Sequence, residues 1–185
     1  MTAGDRAGPA GEERARGRGA ASGTDGPVIT IIVDGANVVG SRPDGWWRDR
    51  AGAAVRLHDE LAKLAARGAT GIPVQLLSTA DGDQPPDLGG DPSGLVKVRV
   101  ILVLEGAARA AAPRIAERAR TAEGGRAGEA VQVVTAPGSG DDEIVRLAQS
   151  CAGHRIVVTA DRELRRRCLA AGAQVAGPSW LYALL

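Results

Sequence analysis

The run Val28-Ile29-Thr30-Ile31-Ile32-Val33 is apolar and β-branched almost without interruption, and it stops at Asp34-Gly35. An unbroken run of this kind reads as a strand covered on both faces, as in the middle of a parallel sheet. Beyond it, Ala54, Leu57, Leu61, Leu64 and Ala65 recur at helical spacing and predict one buried helix face between Asp49 and Ala66, with Gly68 as its stop. Further β-like runs fall at Pro73 to Ser78, Val96 to Leu104, Ala130 to Thr135 and Arg155 to Thr159. Helical stretches follow at Ala107 to Thr121, Asp142 to Cys151 and Arg162 to Ala171, and Ser179 is positioned to cap a short final helix through Leu185. Strands alternating with helices predict βαβ units and an α/β domain, a three-layer α/β/α sandwich around a central, mostly parallel sheet.

Two stretches fall outside this pattern. Met1 to Gly26 holds no Ile, Leu or Val, so it cannot bury enough apolar area to offset its ordering entropy and reads as a disordered tail before a domain spanning 27–185. Ala80 to Gly94 is rich in Asp, Gly and Pro and reads as an exposed loop. The Pro73 to Ser78 run before it is either a member of the sheet or part of an inserted excursion.

Composition narrows the classes of function. A chain of 185 residues with 44% hydrophobic and 24% charged residues has the make-up of an ordinary globular domain. With 23 Lys+Arg against 22 Asp+Glu it lacks the basic excess of proteins held to nucleic acid by bulk charge, so any such partner is gripped locally. No apolar run approaches the length of a membrane span and the amino terminus has no signal-like stretch, so the expected location is cytoplasmic, without membrane contact. Cys151 and Cys168 show no metal-binding spacing and read as free thiols; His58, within a helix, and His154, in a turn, have no partners spaced for a metal or a triad.

The candidate chemistry lies in four acids. Asp34, Glu105, Asp141 and Asp161 each follow a hydrophobic strand or open a helix. In an open parallel sheet the carboxyl ends of the strands share one edge, where ligands bind, so all four carboxylates are expected to face one cleft. Three also have a plainer explanation: Asp141 as the cap of a helix starting at Asp142, Asp161 or Thr159 as the cap of the helix from Arg162, Glu105 as a helix-entry charge. Asp34, directly after a buried strand with no cation nearby in sequence, is harder to dismiss. Gathered carboxylates repel one another, a cost that a divalent cation removes, and oxygen-only ligands suit Mg²⁺ or Mn²⁺. Such an ion polarises a phosphodiester and supplies hydroxide for in-line attack, chemistry that needs neither His nor Cys. The glycine-rich signatures of dinucleotide and triphosphate binding and the serine elbow of hydrolases are all missing.

These residues also resemble a known family. Ile32-Val33-Asp34-Gly35-Ala36-Asn37-Val38, Val103-Leu104-Glu105-Gly106, Gly138-Ser139-Gly140-Asp141-Asp142-Glu143-Ile144 and Val158-Thr159-Ala160-Asp161-Arg162 together resemble the NYN branch of the PIN-like ribonucleases, nearest its YacP-like group. The resemblance implies a PIN-like sandwich and metal-dependent, endonucleolytic cleavage of RNA. By position, Asp34 matches the first-strand metal aspartate and Asn37 the polar residue that orients it. Glu105 falls where relatives often carry Asp, Asp141 rather than Asp142 matches the direct ligand, Asp161 matches the last acidic position, and Thr159 assists through its hydroxyl. The stretch from Thr70 to Gly94 looks longer than the usual link of the family.

For the RNA, Arg109 and Arg162 are the preferred backbone contacts, set against a solvated arginine face in a chain where Arg outnumbers Lys 21 to 2. Trp46 and Trp47 either stack on an unpaired base or plug the edge of the sheet. The expected activity is therefore a small Mg²⁺- or Mn²⁺-dependent ribonuclease. The rivals are a non-catalytic RNA- or ribosome-binding module and a phosphohydrolase of small nucleotides, with ribosome association or a homodimer left open.

Overall fold

A computed structural model describes residues 28–77, 95–121 and 131–185. The Met1 to Gly26 tail and the Ala80 to Gly94 loop of the sequence reading lie outside the described residues. The elements run β1 (Val28–Asp34), α1 (Gly35–Gly40), a 3-10 turn (Trp46–Arg48), α2 (Arg50–Thr70), β2 (Ile72–Pro73) and a second 3-10 turn (Val74–Leu77). They continue through β3 (Leu95–Leu104), a third 3-10 turn (Gly106–Ala110), α3 (Ala111–Thr121), β4 (Val131–Thr135) and α4 (Gly140–Ser150). The chain closes with β5 (His154–Val158), α5 (Arg162–Ala170), β6 (Gln174–Ala176) and α6 (Pro178–Leu184).

Five strands form a parallel sheet in the order β4-β3-β1-β5-β6, with β2 antiparallel at the start of β3. The central strand β1 is buried over all but its first residue, as its unbroken apolar run requires. Its side chains divide by parity. Ile29, Ile31 and Val33 join a core with Leu57, Leu61 and Leu64 of α2, Ile115 of α3 and Leu181 of α6. Ile32 belongs to a second core, with Ile144, Leu147 and Ala148 of α4 and Leu164 and Cys168 of α5. Two cores on opposite faces make the three layers, and each fully buried aliphatic side chain in them contributes about 1.5–3 kcal/mol.

Several boundaries depart from the sequence reading for identifiable reasons. Helix α2 does not stop at Gly68. A Cβ there would lie 2.6 Å from the Val98 Cβ, so Gly68 serves a close helix-to-sheet approach, and the chain leaves the helix at Gly71, whose φ is 100°. Pro73 ends the expected Pro73 to Ser78 strand at once, because it has no N–H to extend a ladder; only Ile72–Pro73 pairs with β3. The helix expected from Ala107 begins regularly at Ala111, which puts Pro113 in its first turn, where a missing N–H costs nothing. Gly177, not Ser179, precedes the last helix, with Pro178 in its first turn. His154 opens β5 rather than lying in a turn.

Candidate active site

Because the sheet is parallel, the carboxyl ends of β1, β3, β4 and β5 lie along one edge. Register then brings the acids to the same level: Asp34 pairs with Val103, two residues before Glu105, and Val33 pairs with Val158, the residue before Thr159. Strand parity turns them the same way. Ile32, Val103 and Val157 all face the α4/α5 layer, so Asp34, Glu105 and Thr159, each two residues further on, continue that face. The first turns of α4 and α5 arrive there with Asp141 and Asp161.

Asp34 is held most firmly. It caps α1, accepting the Asn37 N–H on Oδ1 at 3.1 Å, while Oδ2 accepts Asn37 Nδ2 at 2.9 Å and Thr159 Oγ1 at 2.9 Å. It is 5% exposed, and Thr159 is fully buried. Burial pushes the Asp34 carboxyl above the usual aspartate range, against the lowering effect of its bonds to Asn37 and Thr159. The Thr159 hydroxyl also accepts the Asp161 N–H at 3.1 Å, so one side chain ties the end of β1 to the start of α5.

The other three acids separate the cap readings from the rest. Asp161 is a cap: its Oδ1 accepts the Leu164 N–H at 2.7 Å. Asp141 is not, because α4 begins one residue earlier, at Gly140, after Ser139. Among the described residues its carboxylate makes no hydrogen bond or ion pair; burial, then the charges of Asp34, Asp161 and Glu105, raise its pKa against the lowering effect of the Arg167 charge. Glu105 gives no cap to its own turn; its Oε2 instead accepts the Gly140 N–H at 2.8 Å, capping α4 from across the sheet. A Cβ at Gly140 would sit 2.6 Å from that oxygen, so only glycine admits the contact. Sequence spacing gave no sign of this bridge, since the partners are separated by β4 and lie 35 residues apart.

The remaining candidates divide. Asp142 projects away and pairs with Arg167 at 2.6 Å. Arg109 donates to the Gly138 carbonyl at 3.3 Å, steadying the loop before α4. Arg162 is exposed, with no hydrogen bond or ion pair among the described residues. Trp46 is half-buried and Trp47 is 55% exposed; neither packs into the two cores, so they do not plug the sheet. Arg50, which the sequence reading passed over, stands beside Trp46 with its guanidinium carbon 5.4 Å from the ring centre.

The donor set is all oxygen, which suits a hard divalent cation. Among the described residues no three His, Cys, Asp or Glu side chains converge within reach of one ion. The residues would offer a cation one or two carboxylates at most, the rest of its shell coming from water, as Mg²⁺ tolerates.

The molecule is thus an α/β/α sandwich with four acids at the carboxyl edge of its sheet. Among solved structures, a mutant of Rae1 (YacP) from Bacillus subtilis is similar at 18% identity and a TM-score of 0.48, over 83% of this chain and 72% of that one. At those values the likeness carries none of the functional reading. No protein-family model and no curated protein matches the chain.

Proposed function

We propose that the chain is a ribonuclease that cleaves RNA phosphodiester bonds endonucleolytically, with Mg²⁺ or Mn²⁺ at the edge formed by Asp34, Glu105, Asp141 and Asp161. One observation carries this reading: among the described residues none of the four acids forms an ion pair, in a chain with 21 arginines. Acids left to repel one another at a cleft are a recognised mark of a functional site. The bound cation supplies a polarised phosphodiester and an acidified water. Asn37 and Thr159 fix the Asp34 carboxylate, Glu105 holds the amino end of α4 and thereby Asp141, and exposed Arg162 is available to the RNA backbone.

A second reading, a non-catalytic RNA- or ribosome-binding module, is favoured by a different observation. Glu105 and Asp161 each spend an oxygen on a helix N–H, and the carboxylates do not converge in threes. Incubation with single-stranded and structured RNA, in Mn²⁺ or in EDTA, separates the two. Cleavage that needs Mn²⁺ and is lost in Asp34→Asn and Asp141→Asn supports the nuclease. RNA binding without cleavage, unchanged in both variants, supports the module.

A further inference from the structure

A cavity of about 160 Å³ opens beside the acidic edge, lined by Gly35, Val39, Trp46, Arg50, Glu105 and Gly106 among others. Two of these residues belong to the edge itself: Gly35 follows Asp34, and Glu105 is one of the four acids. Whatever fills the cavity meets Glu105.

We infer that this cavity seats one unstacked base of a single-stranded RNA, stacked on Trp46, beside the phosphate held at the acidic edge; the inference rests on the ribonuclease reading. Three independent features support it. The chain has only four aromatic residues, three Trp, one Tyr and no Phe, yet two of them stand together in an exposed loop instead of a core. Trp47 is exposed beside half-buried Trp46 on the cavity wall, and an indole offers a π-face to any base.

The loop also fixes the Trp46 ring. Gly45 turns the chain at φ 81°, Asp44 Oδ1 accepts the Trp46 N–H at 3.1 Å, and Trp47 meets Trp46 edge-on with ring centres 6.2 Å apart. Arg50 adds a guanidinium that stacks with aromatic planes.

The rim carries hydrogen-bonding groups for a base edge. Glu105 spends Oε2 on Gly140, which leaves Oε1 as an acceptor. Arg50, on the cavity wall, adds guanidinium donors.

The test is equilibrium binding, in EDTA so that nothing is cleaved, of a fluorescein-labelled single-stranded RNA of about ten nucleotides and of a base-free ribose–phosphate strand of equal length. Trp46→Ala is expected to weaken RNA binding roughly 5- to 100-fold and to leave the base-free strand unaffected. Trp46→Phe retains most of the affinity. Ala107→Leu, at an exposed position on the cavity wall, weakens RNA binding with both indoles in place; melting curves confirm that each variant is folded. RNA affinity unchanged in Trp46→Ala and Ala107→Leu, or equal losses on both strands, overturns the inference. Cleavage of the same RNA by the parent in Mn²⁺ is scored separately. Cleavage with Trp46-independent binding sinks the base site alone, whereas Trp46-dependent binding without cleavage sinks the nuclease alone.

Discussion

The carboxyl edge of the sheet and the outer faces of its helices treat charge in opposite ways. On the helices, acids and arginines are paired: Arg118 with Asp59, Arg146 with Glu143, Arg166 with Glu163, Arg167 with Asp142. Such exposed pairs each contribute little to stability. At the edge, among the described residues, Asp34, Glu105 and Asp161 are bonded only by N–H and hydroxyl groups, and Asp141 has no bonded partner, only the more distant charge of Arg167. Burial holds Asp34 above its ordinary pKa, and burial followed by its acidic neighbours does the same for Asp141. The two acids that burial disfavours most form no ion pair among the described residues, and departures from local consistency of this sort collect at functional sites.

The largest effect expected from breaking this contrast is at Asp34. Asp34→Asn keeps the shape and the bond to the Asn37 N–H but removes the charge, and RNA cleavage in Mn²⁺ is expected to fall at least about 100-fold, beyond the 10- to 100-fold that loss of an outer-sphere partner costs. Thr159→Val, which removes one hydrogen bond to the same carboxylate, is expected within that smaller range. Equal losses in the two would mean that Asp34 acts only as the cap of α1.

The bridge from Glu105 to Gly140 comes next, because it joins the acidic edge to the amino end of α4. Glu105→Ala removes a helix cap and is expected to cost about 1 kcal/mol in thermal unfolding, together with cleavage activity. Glu105→Gln keeps an acceptor for the Gly140 N–H and is expected to recover the stability but not the activity. Gly140→Ala places a Cβ where the Glu105 oxygen lies, so it should resemble Glu105→Ala in both measurements. Full activity in Glu105→Gln would reduce Glu105 to a structural cap.

How much of this was legible beforehand follows the range of the forces involved. The unbroken β-branched run of Val28 to Val33 and the Leu57, Leu61, Leu64 stripe depend on local periodicity, and both elements stand as read. Asp34, Glu105, Asp141 and Asp161 could be brought to one edge from strand-then-acid order alone, because a parallel sheet imposes it. What was not legible depends on approach across the sheet. Gly68 looked like a stop because nothing in its neighbours announces Val98, and Asp141 looked like a cap because the start of α4 is set by Glu105, a strand away. The tryptophans were ambiguous for the same reason, since the cavity beside Trp46 is completed by Glu105 and the turn at Gly106, far further along the chain.

Smaller effects separate arginines that are paired from those that are not. Arg162→Ala is expected to weaken binding of single-stranded RNA a few-fold and to lower its salt dependence by about one phosphate contact. Arg166→Ala, whose guanidinium is already engaged by Glu163, should change neither in a fluorescence titration against NaCl. Matching losses would show that the arginine face acts as a diffuse field.

The smallest effect tests the cost side of the contrast. The folded state raises the Asp141 pKa, so folding disfavours its charged form. That penalty is absent below the unfolded value near 3.8 and is fully present once the pH exceeds the folded value. Asp141→Asn removes it. In EDTA at neutral pH the variant is therefore expected to be more stable than the parent by about 0.5 kcal/mol, the gain being held down by solvent at a part-exposed site. The gain should vanish as the pH falls below 4. Mn²⁺ reverses the order, because an ion that binds the folded acids stabilises the parent by mass action and has lost a ligand in the variant. Melting curves of both proteins at neutral and acid pH, with Mn²⁺ and with EDTA, read all of this at once. A parent that is the more stable in EDTA, or a variant that gains as much from Mn²⁺ as the parent, would mean that Asp141 is an ordinary surface acid and that the unpaired edge carries no cation.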